Sequence, residues 1–191
     1  MRPKRLLAGM RHLLALGAAL PGALSAAAAS QPFTIAHPET GAAPVVIAAA
    51  ASPLTRTNAE ELARIIERMS GRLPVIATEP PAGPAIVAGT AAEFPDTPRV
   101  RDLQGRSPEA FLLHSGADRL HIVGNSDLGV QVGIFTLLRE LGCRWFFPHE
   151  AWTVIPERET VRIELDRTES PDFDYRRLSP SASPRPTPID G

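Results

Sequence analysis

Residues 120–148, LHIVGNSDLGVQVGIFTLLRELGCRWFFP, specify their structure more plainly than any other stretch of the chain. A short apolar run leads into an Asn-Ser-Asp sequence, which offers three good helix N-caps in succession. The apolar side chains over residues 128–141 recur at helical spacing, and Gly142 stands where a helix commonly ends. The stretch therefore predicts a strand, a capped amphipathic helix and a second strand over residues 143–147, which Pro148 ends.

The glycines of this stretch are expected to serve packing. Gly124, Gly129 and Gly133 do not have the spacing of a dinucleotide-binding G-x-G-x-x-G motif, and Gly133 lies inside the predicted helix, where it favours close approach to a sheet. Cys143 is the only cysteine of the chain, which excludes an internal disulfide. Because Cys143 lies in an apolar strand, we expect a buried and unreactive thiol.

A second helix is predicted over residues 57–70. Asn58 and Glu61 have the spacing of an N-terminal capping box, and Gly71 has the position of a left-handed C-terminal residue. One apolar stripe runs along this helix, formed by Leu62, Ile65, Ile66 and Met69. The charged side chains on the remaining surface alternate in sign, which is typical of a solvated helix face rather than of catalytic carboxylates.

The remaining regular structure is predicted to be short strands. One hairpin joins residues 110–115 to residues 119–124, and another joins residues 153–155 to residues 160–165. Further apolar runs of strand length cover residues 33–35, 45–48, 73–77 and 85–89. Several strands with only two helices indicate a sheet of mixed direction.

Two histidines have positions in the first hairpin that could bring them together. If the turn is centred between Ala117 and Asp118, His114 and His121 face each other across the two strands, whereas a shift of one residue removes the pairing. Two histidines without a third ligand make a weak metal site. We therefore expect solvent-facing or polar-packed histidines, and no metal or cofactor.

These elements predict an α+β fold, a two-layer sandwich with two main helices on one face of a mixed β-sheet. A small doubly wound sheet is the alternative, but too few helices lie between the strands to cover both faces. The domain is expected over residues 31–168, followed by an exit segment and a disordered Pro/Ser-rich tail over residues 169–191. Within the domain, residues 91–108 are predicted to form a surface loop. Its charged side chains are expected to be solvated, namely Asp96, Arg99, Arg101, Asp102 and Arg106.

Residues 1–29 have the organisation of a secretory signal peptide, with a basic start, a short apolar run and a small-residue end that predicts cleavage near Ala28 or Ala29. A membrane anchor is the alternative, but the apolar run is well short of the ~20 residues needed to span a bilayer. We expect an exported protein, secreted or periplasmic, without a membrane span after cleavage. Cleavage removes four of the 20 basic residues and none of the 21 acidic ones, so the net charge becomes −5. This balance gives no electrostatic reason to expect nucleic acid as a partner.

Four short sequences carry a family resemblance: NAEEL at residues 58–62, MSGRLP at residues 69–74, IVAG at residues 86–89 and LLRELGCRWF at residues 137–146. Together they resemble the N-terminal, non-catalytic domain of alpha-glucuronidase-like bacterial glycoside hydrolases. That domain is similar to the one preceding the barrel in bacterial beta-hexosaminidases. The resemblance covers residues 45–175, and its most specific part is the helix that leads into Gly-Cys-Arg-Trp-Phe.

In that family the domain precedes a TIM barrel, and the barrel carries the catalytic carboxylates. The resemblance thus implies a catalytic barrel as partner, which is normally part of the same chain and is expected to be missing from this one. Hydrolysis of a glycosidic bond needs two carboxyl groups set across it, and no residue here matches the catalytic acid or base of the family. The residues expected at a barrel interface, or stacking on sugar, are Arg144, Trp145, Phe147 and Trp152.

The favoured hypothesis is the accessory N-terminal domain of a secreted glycoside hydrolase, similar to alpha-glucuronidase or beta-hexosaminidase, that acts in polysaccharide breakdown. The alternative is a free-standing exported module that binds carbohydrate without catalysis, through exposed aromatics such as Trp145, Trp152 and Tyr175. The chain has only ten aromatic residues, and most lie in strand runs where burial in the core is expected. A small secreted enzyme is a third hypothesis, but no Ser/His/Asp, Cys/His or metal-ligand spacing supports it.

Overall fold

Residues 29–147 and 150–171 are described by the computed structural model of the chain. The predicted signal peptide, apart from Ala29, lies outside these residues, as do Pro148 and the predicted tail after residue 171, with Tyr175. The helices are α1 (Pro53–Ser70) and α2 (Asp127–Glu140), and two 3₁₀ turns cover Val100–Leu103 and Glu150–Trp152. The strands are β1 (Phe33–His37), β2 (Gly41–Ala42), β3 (Val45–Val46), β4 (Ile76–Ala77), β5 (Ala85–Thr90), β6 (Phe111–Ser115), β7 (Arg119–Gly124), β8 (Arg144–Trp145), β9 (Thr153–Val154), β10 (Val161–Ile163) and β11 (Asp166–Glu169).

The main sheet has six strands in the order β11-β6-β7-β5-β3-β4. Strands β4, β3, β5 and β7 are parallel, whereas β6 is antiparallel to both of its neighbours. Both helices bury their apolar residues in one core cluster with alternate side chains of these strands, such as Ile86 and Ile122. The helices therefore cover one face of a mixed sheet, and the predicted α+β two-layer fold is confirmed.

Helix α2 forms as its sequence predicts. The hydroxyl of Ser126 accepts a hydrogen bond from the Gly129 backbone at 3.4 Å, which caps the first turn. A Cβ atom on Gly129 would lie 2.5 Å from the carbonyl oxygen of Ala110, and one on Gly133 would lie 3.1 Å from Cγ2 of Ile122. Both glycines thus allow the helix to approach strands β6 and β7 closely, which confirms the packing role expected of Gly133.

Helix α1 begins one turn earlier than predicted. Ser52 is its N-cap and accepts a hydrogen bond from the Thr55 backbone at 3.1 Å, and Pro53 occupies the first helical position, where its missing N–H costs nothing. The predicted start at residue 57 was therefore wrong. Asn58 is buried inside the helix and accepts a hydrogen bond from Gln131 of α2 at 3.3 Å.

The second predicted hairpin, between residues 153–155 and 160–165, was wrong because its two strands belong to different sheets. Strand β9 pairs with β8, whereas β10 pairs with β1 in a small sheet of order β10-β1-β2. The chain between them crosses the end of α1, where the Arg158 backbone donates a hydrogen bond to the Met69 carbonyl at 2.8 Å. This crossing separates the two strands that local sequence would have joined.

The polar sequence Asp-Arg-Thr-Glu does not predict a strand, yet it forms β11 at one edge of the main sheet. Strand β11 is antiparallel to β6, with Asp166 opposite His114 and Glu169 opposite Phe111. The strand passes the predicted domain boundary at residue 168 by one residue. Its polar side chains suit an edge strand, and Arg167 forms ion pairs with Glu140 of α2 and with Glu169.

Residues 91–108, named here the covering segment, pack on the face of the main sheet opposite the helices. They contain the 3₁₀ turn Val100–Leu103, and Leu103 is buried against Leu112 and Val123. The amide of Asn125 donates hydrogen bonds to the carbonyl oxygens of Leu103, Arg106 and Ser107 at 2.8, 3.2 and 3.1 Å. The predicted surface loop is thus partly a second cover of the sheet, held by Asn125 and by an ion pair between Arg99 and Asp166 of β11.

Replacement of Asn125 by Ala should release the covering segment, because three carbonyl oxygens lose their donor at once. We expect the free energy of unfolding to fall by about 1–3 kcal/mol. Hydrogen exchange over residues 97–106 should become faster while exchange in α1 stays unchanged. Denaturant titration and hydrogen-exchange mass spectrometry measure both effects. The matched control is Gln104→Ala, which removes an exposed amide from the same segment; equal effects of the two variants would contradict this role of Asn125.

Candidate functional site

Strands β8 and β9, with the two residues after β8 and the 3₁₀ turn before β9, form a two-stranded unit apart from the main sheet. We name residues 144–147 and 150–154 the aromatic hairpin. Arg144 pairs with Val154 and Trp145 with Thr153, and the Phe146 backbone donates a hydrogen bond to the Trp152 carbonyl at 3.0 Å. A hairpin of this size is not stable alone, so it depends on the contacts that its base makes with the domain.

The base of the aromatic hairpin is fixed where α2 ends. Gly142 adopts a left-handed conformation with φ +98°, and the backbone of Cys143 donates a hydrogen bond to the Leu138 carbonyl at 2.9 Å. Cys143 is fully buried, as predicted, and this burial raises the pKa of its thiol. The chain therefore leaves the core immediately after Cys143 and carries the aromatic residues to the surface.

Three contacts hold the hairpin against the helices. The ring of Trp145 meets Phe135 of α2 edge to face, with ring centroids 5.5 Å apart. The guanidinium of Arg144 donates to the carbonyl oxygens of Arg139 and Cys143, both at 2.7 Å, near the negative end of α2. An ion pair of 3.4 Å joins Glu150 to Arg68 of α1.

Beyond these anchors the hairpin exposes large apolar side chains. The exposed fractions are 36% for Trp145, 69% for Phe146, 63% for Phe147, 58% for Trp152 and 50% for Val154. Because one aromatic side chain can bury 150–250 Å², the exposed aromatic area is on the order of several hundred Å². Patches of this size on a soluble domain commonly mark an interaction surface.

The structure brings all four residues predicted for an interface or for sugar stacking, Arg144, Trp145, Phe147 and Trp152, into the aromatic hairpin. Their role stays a prediction. The expected burial of most aromatic residues was wrong for this segment, because the chain turns outward at Gly142. Sequence patterns did not identify Val154 as part of this exposed apolar surface. The only indication in the sequence is that Val154 lies in a short strand close to the one that contains Trp145.

A cleft of about 280 Å³ lies between the hairpin and α1, beside Trp145. Arg64, Arg68 and Glu150 line it, but Arg64 is paired with Glu61 at 2.6 Å and Arg68 with Glu150. The hydrogen bonding that the Arg64 guanidinium donates to Glu61 is the main reason that the pKa of Arg64 is raised. The charges of the cleft are therefore balanced within the chain.

A second polar cluster lies on the sheet face opposite the helices. The predicted register of the first hairpin is confirmed, since His114 pairs with His121 and their rings stack with centroids 6.4 Å apart. Nδ1 of the buried His114 lies 3.1 Å from Oδ1 of Asp166, which also forms an ion pair with Arg99. Desolvation of the Asp166 carboxyl is outweighed by hydrogen bonds from His114 and Arg99, which keep its pKa below the usual value. His114 is thus polar-packed, as predicted.

His121 lacks such a partner. Its Nδ1 is buried and forms no hydrogen bond with the residues that the structure describes. Burial lowers the pKa of His121 to about 4, mainly through desolvation and to a smaller extent through the neighbouring His114 and Arg119. The imidazole is therefore neutral at neutral pH. Across residues 29–147 and 150–171, no group of three or more His, Cys, Asp or Glu residues could hold a metal ion.

Neither a protein-family model nor a curated protein sequence matches the chain. Solved structures of glycoside hydrolases do match its fold. A family GH115 4-O-methyl-alpha-glucuronidase with specificity for decorated arabinogalactans is 22% identical with a TM-score of 0.50, over 75% of this chain and 19% of that one. The GH20 exo beta-N-acetylglucosaminidase of Vibrio harveyi, in complex with N-acetylglucosamine, is 17% identical with a TM-score of 0.46, over 78% of this chain and 18% of that one.

The GH20 beta-N-acetylhexosaminidase of Streptomyces coelicolor A3(2) is 21% identical with a TM-score of 0.41, over 61% of this chain and 20% of that one. The chain thus spans about a fifth of the length of these proteins. Only the fold follows from identities this low, and of these three structures the alpha-glucuronidase, with its TM-score of 0.50, supports it. In the part of the chain that the structure describes, no helix is long and apolar enough to cross a membrane. The fold of the chain is similar to that of one segment of the larger alpha-glucuronidase.

Stability should depend on pH through His121. Because the fold lowers the pKa of this imidazole from 6.5 to about 4, the unfolded chain binds its proton first as the pH falls. We expect the free energy of unfolding to decrease between about pH 6.5 and pH 4. His121→Gln, which cannot titrate, should flatten this part of the profile while Asp166 still titrates at lower pH. Denaturant titrations over pH 4–7 measure the slope, and an unchanged slope in the variant would contradict the assignment.

Proposed function

We propose that the chain is an accessory, non-catalytic domain of an exported protein related to glycoside hydrolases, and that its aromatic hairpin packs on a catalytic barrel. The observation that carries the proposal is the exposure of Phe146, Phe147 and Trp152 on a hairpin that is anchored at its base. An accessory domain needs such an apolar surface, because domain interfaces gain most of their stability from buried aromatic side chains.

The match to the alpha-glucuronidase supports this reading, because three quarters of the chain corresponds to less than a fifth of the enzyme. A unit of this size within a larger glycosidase contributes a part rather than the whole of its chemistry. We infer from the same match, and from the four sequence motifs, that the protein with which the chain acts cleaves glycosidic bonds in polysaccharide breakdown.

Catalysis by the chain alone has no support in the described residues. The acid of a glycosidase needs a carboxyl group whose pKa is raised, together with a second carboxylate across the bond. The carboxyl group of Asp166 has its pKa lowered, and it is held by His114 and Arg99. Other carboxylates are paired with arginine, among them Glu61, Asp102 and Glu140.

A carbohydrate-binding module is the second candidate, and the exposure of Trp145 and Trp152 favours it. Flat aromatic faces can stack on sugar rings, and the 280 Å³ cleft beside Trp145 could admit a side branch of a glycan. Retardation of the chain in affinity gels that contain polysaccharide, lost in Trp152→Ala, would support this candidate over the accessory role.

The accessory role can be tested with a barrel encoded next to the chain. The DNA that follows the codon for Gly191 is read in all frames, and any barrel-like continuation is expressed as a separate polypeptide. We expect it to bind the chain, and each of Phe146→Ser, Phe147→Ser and Trp152→Ser to weaken binding by about 2 kcal/mol, or thirtyfold. Because these side chains are exposed, their replacement should change the free energy of unfolding by only about 0.5 kcal/mol.

The control is the pair Leu73→Ser and Val75→Ser, which removes exposed apolar side chains outside the hairpin and should leave binding unchanged. Calorimetry measures affinity, and 4-nitrophenyl glycosides measure hydrolysis by the chain alone, which we expect to be absent. Hydrolysis by the purified chain, or equal binding by the hairpin variants, would contradict the proposal.

A further inference from the structure

A cavity of about 260 Å³ lies on the face of the main sheet opposite the helices. It shares no residue with the aromatic hairpin, and the proposed function does not use it. The floor is apolar and consists of Val46 on β3 and Val87 on β5, which are paired neighbours in the sheet. One wall is formed by the start of the covering segment, from Glu93 to Thr97.

The position of this wall depends on the lack of a side chain at Gly89. A Cβ atom on Gly89 would overlap the ring of Phe94, so the absence of a side chain at Gly89 allows this ring to lie against β5. Glu93 supports the same turn, because its carboxylate accepts hydrogen bonds from the backbone and the hydroxyl of Thr90, at 2.7 and 2.9 Å. The cavity therefore has an aromatic wall fixed by local hydrogen bonds.

The polar groups that remain available are mostly acceptors. Arg119 lines the cavity, but its guanidinium is taken up by the carbonyl oxygens of Gly83, Asp118 and Pro81, at 2.6, 2.8 and 2.9 Å. Asp96 is exposed and forms no hydrogen bond or ion pair with the described residues. His121 also lines the cavity, but its Nδ1 is buried and has no hydrogen-bond partner among them.

We propose that this cavity binds a neutral, hydroxylated six-membered ring, such as a single pyranose residue. A pyranose presents a C–H face that suits the ring of Phe94 above the apolar floor, and hydroxyl groups around its edge that can donate to the exposed Asp96. The cavity, at about 260 Å³, lies just below the ~300 Å³ at which sites for drug-sized ligands begin, so it has room for one ring and not for a longer oligosaccharide.

The charged side chains around the cavity favour a neutral ligand. An anion would face the carboxylates of Glu93 and Asp96, whereas an ammonium group would face the guanidinium of Arg119. The imidazole of His121 is uncharged at neutral pH and therefore attracts neither kind of ion. A neutral polyol satisfies these groups without bringing a charge into the cavity.

The test is a titration of the isotope-labelled chain, followed by two-dimensional NMR at neutral pH. The probes are methyl pyranosides of glucose, galactose, mannose and xylose, together with glucuronate and glucosamine as the anionic and cationic analogues of one ring. We expect saturable, millimolar binding of at least one neutral pyranoside, with shifts centred on Val87, Phe94, Thr97 and His121. The charged analogues should bind more weakly.

Asp96→Asn should weaken binding about fivefold, which corresponds to one hydrogen bond, and Thr97→Val tests the buried wall in the same way. The matched control is Asp118→Asn, which changes an exposed carboxylate outside the cavity and should leave the affinity unchanged. The same spectra show whether each variant is folded. Absence of saturable shifts, shifts centred on Trp145 or Trp152, preference for a charged analogue, or equal loss in Asp118→Asn would overturn the proposal.

Discussion

The close approach of α2 to strands β6 and β7 is the constraint on which the rest of the structure depends. At Gly129 a side chain would collide with the Ala110 carbonyl, and at Gly133 it would press on Ile122. Larger residues at such positions force backbone shifts that typically cost about 1–3 kcal/mol each. With α2 seated on the sheet, α1 packs beside it, and the hydroxyl of Thr55 donates a hydrogen bond of 2.8 Å to Asp127 at the start of α2.

This arrangement leaves the two faces of the sheet with different covers. The helices bury one face in a continuous apolar core, whereas the other face is covered by a segment that Asn125 holds through three carbonyl oxygens. A cover of that kind buries Leu103 against the sheet but leaves space beside Val46 and Val87. The cavity therefore results from how the second face is covered rather than from a gap in the core.

Local sequence patterns predicted the parts of the fold whose contacts are local. The N-caps, the glycines and the apolar stripe of α2 all lie within the stretch that forms it, and the β6–β7 hairpin is closed by its own turn. The start of α1 was misjudged because two N-cap signals compete, and Ser52 followed by Pro53 prevails over Asn58. Strands β10 and β11 pair with residues distant in sequence, and their few side chains carry too little periodicity to choose a partner.

In the candidate site too, the sequence predicted which residues take part but not how the fold positions them. Sequence identified the residues Arg144, Trp145, Phe147 and Trp152, because a resemblance to known domains pointed to them, but local patterns predicted only a strand over residues 143–147 and not the position of its side chains. Whether these side chains are buried depends on the direction in which the chain leaves the core after Cys143. The left-handed conformation of Gly142 and the pairing of β8 with β9 set that direction.

An aromatic side chain left in water forgoes about 1.5–3 kcal/mol of the stability that full burial would give. The hairpin exposes Phe146, Phe147 and Trp152 together, and it holds the adjoining Trp145 against Phe135. Apolar residues that are exposed singly need no contacts to fix their position. This hairpin, in contrast, is fixed by the hydrogen bonds that Arg144 donates at the end of α2. A fixed base below a mostly exposed apolar tip is the arrangement expected of a surface that gains its missing burial from a partner, because a preorganised hairpin loses little conformational entropy on binding.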